Sequence, residues 1–127
     1  MYNIDKIREL LIDSIHSRND AKAFFSKELM NNEILESLLS IVIEDDSNDA
    51  RMEASYWISK FEVDLLKKHE GILLQIQKDE LDSVACHSFM ALAKIKSKMG
   101  MMYIIEKRLK SEYYWESEAL KLYLNEN

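Results

Sequence analysis

Hydrophobic positions recur along nearly the whole chain at three- and four-residue steps, the spacing that puts apolar side chains on one face of an α-helix. The first stripe is Ile4, Ile7, Leu10, Leu11 and Ile15, opened by Asn3, whose short polar side chain suits an N-cap. A second short helix is expected from Asn19 or Asp20, carrying Phe24, Phe25 and Leu29. A third follows Asn31 and Asn32 with Ile34, Leu35, Leu38, Leu39, Ile41 and Val42, and ends at the polar run Glu44 to Asn48. The next opens at Asn48 or Asp49 and carries Met52, Tyr56, Trp57 and Phe61. After a break near Val63, the spacing predicts one helix from Asp64 to about Lys78. Gly71 lies inside it and weakens it by about 1 kcal/mol relative to alanine. A break from Asp79 to Ser83 precedes a helix with Val84, Ser88, Phe89, Ala91, Leu92 and Ile95 that reaches about Ser97. A segment from Lys98 to Lys110 and a last helix from about Tyr113 to Leu124 complete the pattern. The expectation is an all-α chain of about seven or eight helices on short loops, which set neighbouring helices antiparallel.

Composition narrows the fold class further. The chain has 127 residues, enough for one domain spanning 1–127. It contains no proline and two glycines, Gly71 and Gly100. A β-sandwich or barrel of this length needs many tight turns, which draw on both residue types. Phosphate-cradling loops need clustered glycines, so nucleotide-binding α/β folds are disfavoured as well.

Two segments superpose at an offset of 34 residues. Ala50 falls on Val84, Ala54 on Ser88, Trp57 on Ala91, Ile58 on Leu92 and Phe61 on Ile95. A third copy, three residues shorter, places Trp115, Ala119, Leu122 and Tyr123 on Val84, Ser88, Ala91 and Leu92. Each copy keeps a small residue where a tightly crossing helix requires one. The stretch NDARMEASYWISKF resembles the first helix of a HEAT-type or armadillo-type repeat, matching its pattern at Asp49, Arg51, Ala54, Trp57 and Ile58. The second copy has Ala85 where that pattern has arginine. The resemblance covers residues 48–124 and implies helical hairpins stacked as a short α-solenoid. The alternative is an irregular helical bundle.

Catalytic and metal-binding patterns are weak. His16, His69 and His87 lie far apart, and none has a second ligand three or four residues on. Cys86 and His87 are adjacent, so on a helix they diverge by about 100°. Cys86, the one cysteine, reads as a small core residue and gives no disulfide. The carboxylate pairs Asp49/Glu53 and Glu112/Glu116 have the spacing of ordinary solvated helix charge. These features lead to the expectation of no enzyme, no cofactor and no metal. Asp5 and Glu9 stand where a secretory signal would have a basic start, and no apolar run approaches the ~20 residues that span a bilayer. A cytoplasmic protein without a membrane partner is expected.

Charge and aromatic placement carry the functional expectation. From Glu28 to Glu53 eight acids face one base, while Lys94 to Lys110 holds six bases and one acid, within an overall charge of −6. The acidic residues Glu44, Asp45, Asp46, Asp49 and Glu53 form a candidate edge for steering a basic partner. Consecutive aromatics at Tyr56-Trp57 and Tyr113-Tyr114-Trp115 cannot all face one core, so at least one in each group is expected to be partly exposed as an interface anchor. Size, charge and helical architecture suggest a protein-binding module. Its most specific form is an immunity protein that occludes a basic nuclease toxin, a similarity to toxin–immunity systems in charge and size. A scaffold or regulatory adaptor is the alternative. Nucleic-acid binding through Lys94–Lys110 ranks lower because the net charge opposes it. A monomer is favoured.

Overall fold

The computed structural model describes residues 3–13, 18–103, 119 and 121–124. The described chain is all-helical: α1 (Ile4–Asp13), α2 (Arg18–Phe25), α3 (Asn32–Glu44), α4 (Asn48–Ile58), α5 (Val63–Lys67), α6 (Glu70–Ile76), α7 (Asp82–Lys94) and α8 (Lys98–Tyr103). Residues 119 and 121–124 are helical too, at the end of the expected last helix. No strand occurs among the described residues.

Short polar side chains start the helices. Asn3 Oδ1 accepts from the Asp5 amide at 2.8 Å. Asn31 accepts from Glu33 and Ile34, and Ser47 from Ala50, so each satisfies donors that the first helical turn leaves open. Leu81 cannot cap α7 with its side chain. Asp79 Oδ1 instead accepts from the Leu81 amide at 2.9 Å, just as Asp45 Oδ1 accepts from Ser47 at 2.8 Å ahead of α4. These two turns stand 34 residues apart, the offset of the sequence repeat.

The helices α1, α4 and α7 pack side by side, and α3 meets α6 alongside them. The most extensive contacts are α3 on α4, α4 on α7 and α6 on α7. Every position paired by the 34-residue offset is buried, from Ala50 and Val84 to Phe61 and Ile95. The small residue marks a close crossing: Ser88 Oγ donates to the Leu73 carbonyl of α6 at 2.6 Å. Two ion pairs repeat the same placement, an arginine on one helix bound to an aspartate in the turn before its neighbour. Arg8 of α1 binds Asp45 before α4 at 2.6 Å, and Arg51 of α4 binds Asp79 before α7. Arg51 Nε also donates to the Val42 carbonyl of α3 at 2.7 Å.

Two expected helices are shorter than their apolar spacing. The one expected from Asp64 to Lys78 is divided into α5 and α6 at Lys68–His69. There the Lys68 and His69 amides donate to Leu65 and Leu66, a tighter i to i−3 turn, and His69 Nε2 reaches Asn32 Oδ1 of α3 at 2.9 Å. That tertiary bond holds the corner. The helix expected to reach Ser97 stops at Lys94, because Lys96 adopts φ 60° and Ser97 instead caps α8 through the Gly100 amide.

The two glycines respond oppositely to substitution. A Cβ at Gly71 would meet no atom within 4 Å, so Gly71→Ala stabilises the protein by about 0.5–1 kcal/mol. At Gly100 it would lie 2.9 Å from Leu92 Cβ, where α8 presses on α7, so Gly100→Ala destabilises. Paired thermal melts check both signs.

Candidate functional site

An open groove of about 840 Å³ lies where α2, α4 and α7 meet. Helix α4 contributes Met52, Glu53, Tyr56, Trp57 and, just past its end, Lys60, which share one helical face by their spacing. Lys22 and Ser26 line the opposite wall from α2 and its C-terminal turn. Ser83 and His87, four residues apart on α7, complete it.

The floor is aromatic. Phe25 of α2 stacks on Trp57 with ring centroids 5.3 Å apart and an interplanar angle of 30°, and Phe24 packs edge-on to Phe25 at 5.0 Å. Trp57 is 8% exposed. Tyr56 stands above it, edge-on to Trp57 at 5.1 Å and to His87 at 5.6 Å, and remains 39% exposed. Of this expected aromatic pair, then, one ring is core and the other offers its surface. Lys60 Nζ lies 5.2 Å from the Tyr56 ring centroid.

His87 ties α7 to α4. Its Nδ1 lies 3.0 Å from Ser55 Oγ, whose hydroxyl donates to the Met52 carbonyl at 2.7 Å. The hydroxyl hydrogen is thereby used, and the satisfied arrangement has the imidazole Nδ1–H donating to Ser55. Ser55 is buried and turned into its own helix, so this contact orients a ring and does not present a nucleophile. Burial, reinforced by nearby Lys60, lowers the His87 pKa from its ordinary value near 6.5. The unfolded chain therefore takes up a proton before the folded one, and stability falls as pH drops below that value. Replacing His87 by glutamine flattens this loss between about pH 7 and 5.5, which melts across that range measure directly. Burial pushes the neighbouring Cys86 thiol up to about 11, so it is protonated and unreactive at neutral pH.

The candidate residues from the sequence divide into groups. Glu53, Tyr56 and Trp57 come together in the groove. Glu44, Asp45, Asp46 and Asp49 surround the α3–α4 corner. Asp45 is not an open edge charge: its side chain is 10% exposed, and Arg8 grips both carboxylate oxygens at 2.6 and 3.2 Å. That hydrogen-bonded pairing holds the Asp45 carboxyl below the usual carboxylate range. Asp46 is fully exposed, with Arg8 at 3.8 Å. Glu44, Asp49 and Glu53 make no ion pair among the described residues. Tyr113, Tyr114 and Trp115 lie outside the described residues.

The basic segment is partly committed to structure. Lys94 Nζ donates to the Phe61 carbonyl at 2.6 Å, closing the turn after α4, and burial lowers its pKa. Lys96 Nζ donates to the carbonyls of Leu122 and Tyr123 at 2.7 and 2.8 Å. Lys107, Arg108 and Lys110 lie outside the described residues.

Lys22, Lys60 and His87 were not among the candidates from sequence. The repeat does contain a signal for one of them: adding 34 to Asp49 and Glu53 gives Ser83 and His87, which line the same groove. Among the described residues no three His, Cys, Asp or Glu side chains gather as a metal-binding set, and no helix is long and apolar enough to cross a membrane. No protein-family model matches the chain, and neither curated proteins nor solved structures give a significant match.

Proposed function

We propose that the chain is a protein-binding module, built from helical hairpins stacked in the manner of a short HEAT-like α-solenoid, that grips a basic partner. The observation that carries this reading is the exposed Tyr56 ring over an aromatic floor, next to the carboxylate of Glu53, which makes no ion pair among the described residues. Tyrosine and tryptophan concentrate binding energy at interfaces because they bring large, stiff contact area. Asp49 lies one turn before Glu53 on the same helix face, and Asp46 sits at the preceding corner, so negative charge continues from the groove to the molecular edge. Such a field accelerates encounter with a basic protein. In its most specific form the proposal is an immunity protein that neutralises a basic nuclease toxin.

The test measures association of the purified chain with the product of the neighbouring gene by biosensor. Asp46→Lys combined with Asp49→Lys slows association by about tenfold or more at low salt, and the difference shrinks as salt rises past about 0.15 M. Asp45 stays unaltered, because changing it would break the Arg8 pair and confuse folding with steering. An unchanged association rate contradicts electrostatic steering, and absence of any complex contradicts the specific partner class.

A further inference from the structure

We infer that the α2–α4–α7 groove reads a bipolar segment of its protein partner: a basic side chain against Glu53, an apolar side chain on Tyr56 and Trp57, and an acidic side chain against Lys60. This deepens the protein-binding reading and rests on it.

The argument starts from the order of charges along one wall. Glu53, the Tyr56-Trp57 pair and Lys60 follow one another on the groove face of α4 and its C-terminal turn. The wall therefore runs from negative through aromatic to positive. The helix dipole accounts for Asp49, which is in the first turn of α4, but its influence fades before Glu53. Glu53 and Lys60 are too far apart to pair: seven residues at 1.5 Å each separate them by about 10 Å. Neither makes an ion pair among the described residues; Lys60 Nζ lies over the Tyr56 ring. Lys22, exposed on the α2 wall, adds a second cation that makes no ion pair among the described residues. A purely basic segment would satisfy Glu53 and be repelled by Lys22 and Lys60. A purely acidic one would meet the reverse. Only a segment with both signs meets all three charges, and its apolar residue then covers the exposed face of Tyr56.

Spacing follows from the same distance. An extended segment advances about 3.3 Å per residue, so its basic and acidic residues stand about three positions apart with the anchor between them. Glu53 is half-buried, so a pair formed there loses less to solvent screening than one at the rim.

The experiment is selection of random twelve-residue peptides displayed against the full chain, followed by titration of synthetic winners into isotope-labelled protein. The Trp57 indole N–H resonance reports occupancy of the groove. Enriched peptides are expected to carry Arg or Lys and Asp or Glu on either side of an aromatic or large aliphatic residue, and to shift that resonance. Glu53→Lys weakens them by about tenfold or more, and peptides with the basic residue changed to glutamate regain affinity for that variant. Lys60→Glu gives the converse exchange at the acidic position. Both variants alter side chains that make no ion pair among the described residues, and their melting temperatures confirm folding. Peptides lacking the two-signed pattern, winners that ignore both variants, or no enrichment at all overturn the inference. So does a labelled oligonucleotide that shifts Trp57 in place of peptides. If the neighbouring product still forms its complex while ignoring Glu53→Lys and Lys60→Glu, the groove assignment fails and the protein-binding reading stands. If no complex forms, the reading itself fails.

Discussion

Replacing Arg51 by alanine lowers the free energy of unfolding by about 2–3 kcal/mol, measured by urea or thermal denaturation. Arg51 is 17% exposed and its carboxylate partner Asp79 is equally covered. One guanidinium joins three elements: it belongs to α4, binds the turn before α7, and donates to Val42 at the end of α3. Truncating it leaves a largely buried carboxylate unpaired and a carbonyl without its donor, and that desolvation cost exceeds the net value of the pair itself. Arg8→Ala also strips a covered carboxylate, Asp45 at 10% exposed, but the guanidinium it removes is 39% exposed, so water takes its place more readily than at Arg51. Its effect is smaller. A ratio near one would mean that the two pairs are ordinary surface contacts and that α4 and α7 are held by apolar packing alone.

Trp57→Ala and its neighbour Tyr56→Ala part company completely. Trp57→Ala costs about 3–5 kcal/mol, because it empties the site between α4 and Phe25 that fixes α2. Tyr56→Ala changes stability by about 1 kcal/mol or less, since much of its ring already meets water. It removes the surface that a partner would cover, and binding weakens by 2 kcal/mol or more, roughly 30-fold. Calorimetric melts and a binding isotherm on the two variants separate these roles. Equal stability losses would place Tyr56 in the core and remove the interface anchor.

Much of this fold is legible residue by residue. Asn3 and Asn31 announce helix starts through short side chains that satisfy exposed amides, and the polar run Glu44 to Asn48 marks the corner where Ser47 caps α4. The 34-residue offset places α4 on α7 to the residue, since the two helices begin at Asn48 and Asp82. What escapes the sequence is set by contacts between distant residues. Leu65, Leu66, Ile72, Leu73 and Ile76 keep helical spacing across a break that His69 makes by reaching Asn32, 37 positions away. The end of α7 depends on a left-handed backbone at Lys96, where no glycine signals it. Counting charges treats every acid as solvated, yet Asp45 is held by Arg8, also 37 positions away. The aromatic pair was readable because two adjacent helical residues cannot share one face. The α2 wall was not, because residues 18–26 fall outside the stretch that the repeat aligns.

Hydrogen exchange of the bound and unbound protein is the most direct measurement of where the partner sits. Amides of α2 between 18 and 25 and of α4 between 52 and 60 slow on complex formation, while α6, which packs on α7 and α3, exchanges as before. Protection confined to α5, α6 or α8, with α2 and α4 unchanged, would show that the partner grips another face and that this groove is not the binding site.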